Sequence, residues 1–167
     1  MKKIGIIGPN NKICSKELYD FGVQLGRQIA TKDRTFVCGG LGGFMEAVCK
    51  GVKLSPDTFS GQTVGILPDD TSDNANPFID TAVATGQGIA RNIIIVRTAD
   101  LIIAAGGGAG TLSEIAFAWQ LQKTVLCLTN FDGWAKELAG KNLDDRQSGL
   151  LIPVNGIDEI LKHLDNG

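Results

Sequence analysis

The sequence predicts a three-layer α/β sandwich, doubly wound about a mainly parallel sheet. Three observations carry that expectation. Short β-prone apolar runs alternate along the chain with patterns of helical period, as where Leu101–Ala105 is followed by the apolar stripe of residues 115–121. The strand-like runs are apolar throughout rather than alternating, the mark of strands buried on both faces. Three of them pass directly into glycine: Gly8 after residues 3–7, Gly39-Gly40-Leu41-Gly42-Gly43 after residues 35–38, and Gly106-Gly107-Gly108-Ala109-Gly110 after Leu101–Ala105. In a parallel doubly wound sheet these loops share the carboxyl edge, where such folds bind ligands.

Element by element, residues 3–7 read as the first strand. Ser15 is placed to cap a helix reaching about Thr31, with Leu18, Phe21, Gly22, Leu25 and Ile29 on one face. Residues 35–38 read as the second strand, and residues 44–52 as the helix after the first long glycine run. Thr63–Leu67 is a third strand, closed by Pro68. Residues 69–77, rich in Asp and Asn, read as an exposed loop, and residues 79–85 as a short strand. Gly86-Gln87-Gly88 opens a helix that contains Arg91 and Arg97. After the strand, glycine loop and helix of residues 101–121, Thr124–Leu128 is another strand. Residues 130–149 show no clear pattern. Leu150–Val154 reads as a last strand and residues 157–164 as a last helix.

A chain of 167 residues with no repeat, linker or low-complexity tract is most simply one domain, 1–167. A net charge of −2 argues against general binding to nucleic acid or anionic membranes. No apolar run approaches the roughly 18 residues a membrane span needs. Met1-Lys2-Lys3 and the apolar residues after it superficially resemble a secretion signal. That run is too short and ends in the turn Gly8-Pro9-Asn10-Asn11, so a first buried strand is expected, while the chain's cysteines read as reduced, mostly buried thiols of a cytoplasmic protein. Cys14, Cys38, Cys49 and Cys127 lack C-x-x-C spacing and His163 stands alone, so neither a metal site nor a disulfide framework is expected.

The glycine run at 106–110 leads into a helix start, where bare N–H groups and the positive dipole end favour an anion, commonly phosphate. The dinucleotide fingerprint fails on spacing, and a P-loop fails because no Lys-Ser/Thr follows either glycine run. Thr111-Leu112-Ser113-Glu114 fits a capping box, in which Thr111 caps the helix and Glu114 folds back. That role is compatible with a ligand role, because a carboxylate at a helix N-terminus is favoured in its ionised form. Arg91 reads either as a solvated surface charge or as a ligand contact. Trp119 falls on an apolar stripe with Ile115, Phe117 and Ala118, which places it in the core or a subunit interface. Trp134 is a candidate for stacking on a base.

The pair Cys38-Gly39-Gly40-Leu41-Gly42-Gly43-Phe44-Met45-Glu46-Ala47 and Gly106-Gly107-Gly108-Ala109-Gly110-Thr111-Leu112-Ser113-Glu114 resembles the Lonely Guy (LOG), or lysine-decarboxylase-like, superfamily. That superfamily includes cytokinin-activating phosphoribohydrolases and molybdenum cofactor carrier proteins. The resemblance runs over about residues 3–154 and implies a Rossmann-like domain, dimeric or of higher order; the apolar residues 115–121 offer weak support for a dimer. It implies Arg91 and Glu114 as the catalytic pair of the hydrolase branch. Gly8, Gly39, Gly40, Gly42, Gly43, Gly107, Gly108, Gly110 and Thr111 are the expected phosphate- and ligand-binding positions. Asn92 stands where the hydrolase branch has lysine, and Gly106 where it has proline, so the chain looks more like the branch containing the carriers. Two expectations follow. One is hydrolysis of the N-glycosidic bond of a nucleoside 5′-monophosphate, with Glu114 stabilising an oxocarbenium-like sugar and no metal required. The alternative is a non-catalytic carrier whose cargo is molybdenum cofactor or a related pterin. Literal lysine decarboxylation is not expected, since Lys50 and Lys123 read as surface residues and neither suits a Schiff base.

Overall fold

Strand and helix alternate as the sequence leads one to expect, and every strand pairing is parallel. The structure, a computed structural model, describes residues 1–146 and 149–165. In chain order the elements are β1 (Lys2–Ile7), α1 (Lys16–Ile29), β2 (Arg34–Cys38), α2 (Phe44–Lys53), β3 (Thr63–Leu67), β4 (Thr81–Ala84), α3 (Asn92–Thr98), β5 (Leu101–Ala105), α4 (Ala109–Gln120), β6 (Thr124–Leu128), α5 (Trp134–Leu138), β7 (Leu150–Val154) and α6 (Ile157–Asp165). A short 3-10 turn, Gly88–Arg91, precedes α3. The seven-stranded sheet has the order β4-β3-β2-β1-β5-β6-β7. The chain therefore runs outward from β1 in one direction and from β5 in the other. The crevice between the β1 and β5 loops is the topological switch point, the usual ligand position in open α/β sheets.

Period-two alternation along buried strands divides the core into two layers. Ile4, Ile6, Leu101 and Ile103 pack with α1, α2 and α6. Ile7, Ile102, Ala104 and Val125 face the other way, toward α3, α4 and α5. All five residues of β5 are buried, which explains a strand with no polar positions. β4 lies at the sheet edge and is exposed throughout.

Ser15 caps α1 as its position suggests, its Oγ accepting from the Leu18 N–H at 3.1 Å. The helix ends at Ile29 rather than near Thr31. The helix expected from Gly86 is divided, the 3-10 turn tightening the chain through Arg91 before α3 begins. On α4, Ile115, Ala118 and Trp119 are buried in the chain's own core, so they do not form an outward face for a partner. The Trp119 indole donates to Asp144 at 3.0 Å. No helix among the described residues is long and apolar enough to cross a membrane.

α1 and α2 cross closely because each carries a glycine at the contact. A methyl carbon on Gly26 would lie 2.0 Å from the Val48 carbonyl oxygen, and one on Gly51 would lie 2.1 Å from that of Val23. Both distances are far inside van der Waals contact, and the obstacle is backbone. Gly26→Ala is therefore expected to force the helices apart and lower stability by about 3 kcal/mol. Urea denaturation checks this, and an unchanged midpoint would contradict the packing described.

Candidate ligand-binding cleft

A cleft of about 380 Å³ opens at the switch point. That volume lies in the range of small-molecule sites, roughly 300–1,000 Å³. Its walls come from the loops after β1 (Gly8, Pro9, Asn10) and β3 (Pro68), the first turn of α4 (Ala109, Gly110, Thr111), and the 3-10 turn bearing Arg91. Arg91, Asn92, Thr111 and Glu114 all line it and all are buried. The two residues singled out as a catalytic pair, one in the 3-10 turn and one on α4, thus line one cavity.

Local geometry differs from the capping-box expectation. α4 begins at Ala109 with Gly108 at the N-cap, and no side chain caps it. Thr111 is therefore the third helical residue, and Glu114 lies in the second turn. Side chains on a helix tilt toward its N-terminus, and positions three apart share a face. Glu114 and Thr111 consequently both line the cleft, and the first-turn N–H groups of α4 have no cap to occupy them.

Burial also reverses the expected charge state of Glu114. Desolvation pushes its pKa up to about 8, outweighing the opposing pull of the Arg91 guanidinium. Burial in the second turn thus matters more than the dipole, which acts chiefly in the first turn. Among the described residues the Glu114 carboxyl accepts and donates no hydrogen bond.

Arg91 is 8% exposed and forms no ion pair among the described residues. Its Nη1 donates to the Asn92 side-chain oxygen. Its Nη2 donates to the Gly39 carbonyl at 3.3 Å, while its buried Nε has no partner among the described residues. Desolvation lowers its pKa, with Glu114 the largest opposing influence. Asn92 in turn donates through Nδ2 to Ser113 Oγ at 2.9 Å, and Ser113 donates to the Gly110 carbonyl at 2.7 Å. Asn92 thus ties the arginine to the first turns of α4, which gives a structural role to the residue standing in place of lysine.

Of the glycines expected at the ligand, Gly8, Gly108 and Gly110 line the cleft. Gly39, Gly40, Gly42, Gly43 and Gly107 do not; they let other groups approach one another. A methyl on Gly39 would sit 2.6 Å from Arg91 Nη2, and one on Gly42 2.1 Å from Asn11 Nδ2. On Gly40 it would lie 2.7 Å from Leu67 Cδ2. Gly43 (φ +81°) brings the chain within 2.3 Å of the Pro9 carbonyl oxygen by the same measure, and Gly107 (φ +88°) packs on Thr111. Trp134 is 40% exposed but does not line the cleft, and neither Cys14 nor Cys38 does.

Two supports were not legible in the sequence. Asn76, inside the polar loop read as exposed, is buried and donates through Nδ2 to the Gly40 and Leu41 carbonyls at 3.2 and 3.0 Å. The Asn76-Pro77 pair was the available signal, since Asn before Pro favours a fixed turn. The second support lies in residues 130–149. The Trp134 and Ala135 N–H groups, opening α5, donate to the Gly107 and Gly106 carbonyls at 3.1 and 3.0 Å. These bonds fix the glycine loop from behind.

Fold and cleft together define a Rossmann-like α/β domain with a cleft at its switch point. The chain belongs to the SLOG cluster4 family, whose model matches residues 1–161. It is similar along its whole length to the solved structure of TM1055, at 32% identity, TM-score 0.89 and 100% coverage of both chains. It is similar to the molybdenum cofactor binding protein of Rippkaea orientalis, at 30% identity and TM-score 0.83, covering 99% of this chain and 96% of that one. The molybdenum cofactor carrier protein of Chlamydomonas reinhardtii matches at 26% identity and TM-score 0.79, with 99% and 98% coverage. The LOG-like resemblance and the expected three-layer fold are thereby borne out.

Proposed function

We propose that this protein binds a phosphorylated pterin, with molybdenum cofactor as its cargo, and holds it without turnover. The observation that carries the reading is Arg91, a cation buried at the cleft wall with no ion-pair partner among the described residues. Leaving a charge so is unfavourable unless a ligand supplies the counter-charge. A phosphate seated on the first turn of α4 would supply it, receiving N–H groups from the helix and charge from Arg91. Glu114, held protonated near neutral pH, would donate a hydrogen bond to a ring or hydroxyl oxygen. The named activities of the Rippkaea and Chlamydomonas proteins support pterin cargo over other phosphorylated ligands.

The hydrolase reading retains one specific support, the meeting of Arg91 and Glu114 in one cleft. Against it, a carboxyl group with a pKa of about 8 is mostly neutral at pH 7, and a neutral acid does little for a developing oxocarbenium. Chromatography after incubation with AMP, GMP, IMP and CMP separates the readings. No release of free base is expected; base and ribose 5-phosphate from wild type but not from Glu114→Gln would establish the hydrolase. For the carrier, protein isolated from cells that make molybdenum cofactor is expected to retain pterin and molybdenum through gel filtration. Loss of both from intact protein would count against the cargo.

A further inference from the structure

The cleft has an apolar rim above its polar floor. Ile13 is 62% exposed and Ile89 is 89% exposed, and both line the cavity. Isolated exposed hydrophobics are ordinary on protein surfaces. Two lining one cavity, together with Leu41, Met45 and Pro68, give it apolar walls that a ligand would cover.

Each isoleucine is fixed beside a group able to read an anion. A methyl on Gly108, the N-cap of α4, would lie 3.7 Å from Ile13 Cδ1. Ile89 stands two residues before Arg91 in the same 3-10 turn. Both turns are held by the chain. The Ile13 and Cys14 N–H groups donate to the Asn10 carbonyl at 3.2 and 3.0 Å. Gly88 donates to the Pro68 carbonyl at 2.9 Å, and Ala90 to that of Gln87 at 3.1 Å. These side chains are held in water by ordered backbone, so a ligand covering them gains apolar burial at little ordering cost.

We infer that Ile13 and Ile89 are the platform for a flat fused heterocycle, by which the cleft selects a ring-bearing phosphorylated ligand over a phosphorylated sugar alone. This rests on the anion-binding reading given above. Isoleucine offers area and no hydrogen bonds, so the platform senses the presence of a ring more than the pattern of its substituents. The floor supplies whatever polar discrimination exists.

The test is calorimetric titration of the protein with GMP and with ribose 5-phosphate. GMP is expected to bind at least about tenfold more tightly, and Ile13→Ser and Ile89→Ser are each expected to reduce that ratio by about fivefold. Both positions are surface positions, and thermal melts of the variants check that the fold persists. Equal affinity for the two ligands in wild type, or a ratio preserved in the double variant, would overturn the platform while leaving anion binding intact. Absence of binding by both ligands would overturn the anion reading and the platform with it.

Discussion

Arg91→Gln is expected to weaken binding of a phosphorylated ligand by about a hundredfold, the loss of a charge-assisted contact in a desolvated site. The effect is large because the guanidinium sits in a wall that excludes water, where charge is poorly screened. It is also specific. Asn92 and the Gly39 carbonyl hold Arg91 in place before any ligand arrives, so little ordering remains to be done on binding. Titration of both proteins with the same phosphorylated ligand measures the difference. Equal affinities would mean that the buried cation has no part in recognition.

Glu114 makes binding and stability depend on pH in the same direction. Its pKa rises from 4.5 to about 8 on folding because burial disfavours the carboxylate. Between those values the folded state binds the extra proton. Stability is therefore full at the acid end of the window, falls as pH rises through it, and levels off above about 8. The span corresponds to a loss on the order of 5 kcal/mol. Ligand affinity follows, since the carboxylate that forms above pH 8 repels an anion and competes for Arg91. Glu114→Gln, which mimics the protonated acid, is expected to flatten both profiles, to match wild-type affinity near pH 5.5 and to match wild-type stability only below about pH 4.5. Denaturant midpoints and ligand titrations at pH 5.5, 7 and 8.5 provide the check. A wild-type profile as flat as that of the variant would show that Glu114 is ionised at neutral pH after all.

Legibility in the sequence follows the range of the interaction concerned. Strands such as Leu101–Ala105 and Thr124–Leu128 were readable to the residue because burial on both faces leaves a continuous apolar run. The N-cap at Ser15 was readable because capping is local. The convergence of Arg91 with Glu114 was available from the family resemblance, not from spacing, since it depends on sheet order. What local pattern could not supply was competition between neighbours. Thr111-Leu112-Ser113-Glu114 satisfies a capping box, yet the helix starts earlier at Ala109 and the motif lies inside it. The same displacement buries Glu114 and reverses the charge state its sequence position suggested. Glycines posed a similar difficulty. Gly108 and Gly107 are adjacent and look alike, but one lines the cleft and the other makes room for Thr111. Asn76 was hidden for another reason, as its partners are two backbone carbonyls some 35 positions away in the chain.

The measurement that bears most directly on this account is fluorescence titration of the protein with a phosphorylated pterin, before and after phosphatase treatment of that pterin. Saturable one-to-one binding that weakens by at least about tenfold when the phosphate is removed is the expected result. Affinity unaltered by removal of the phosphate, or no saturable binding of either form, would contradict the assignment of the cleft at the switch point as an anion-anchored pterin site.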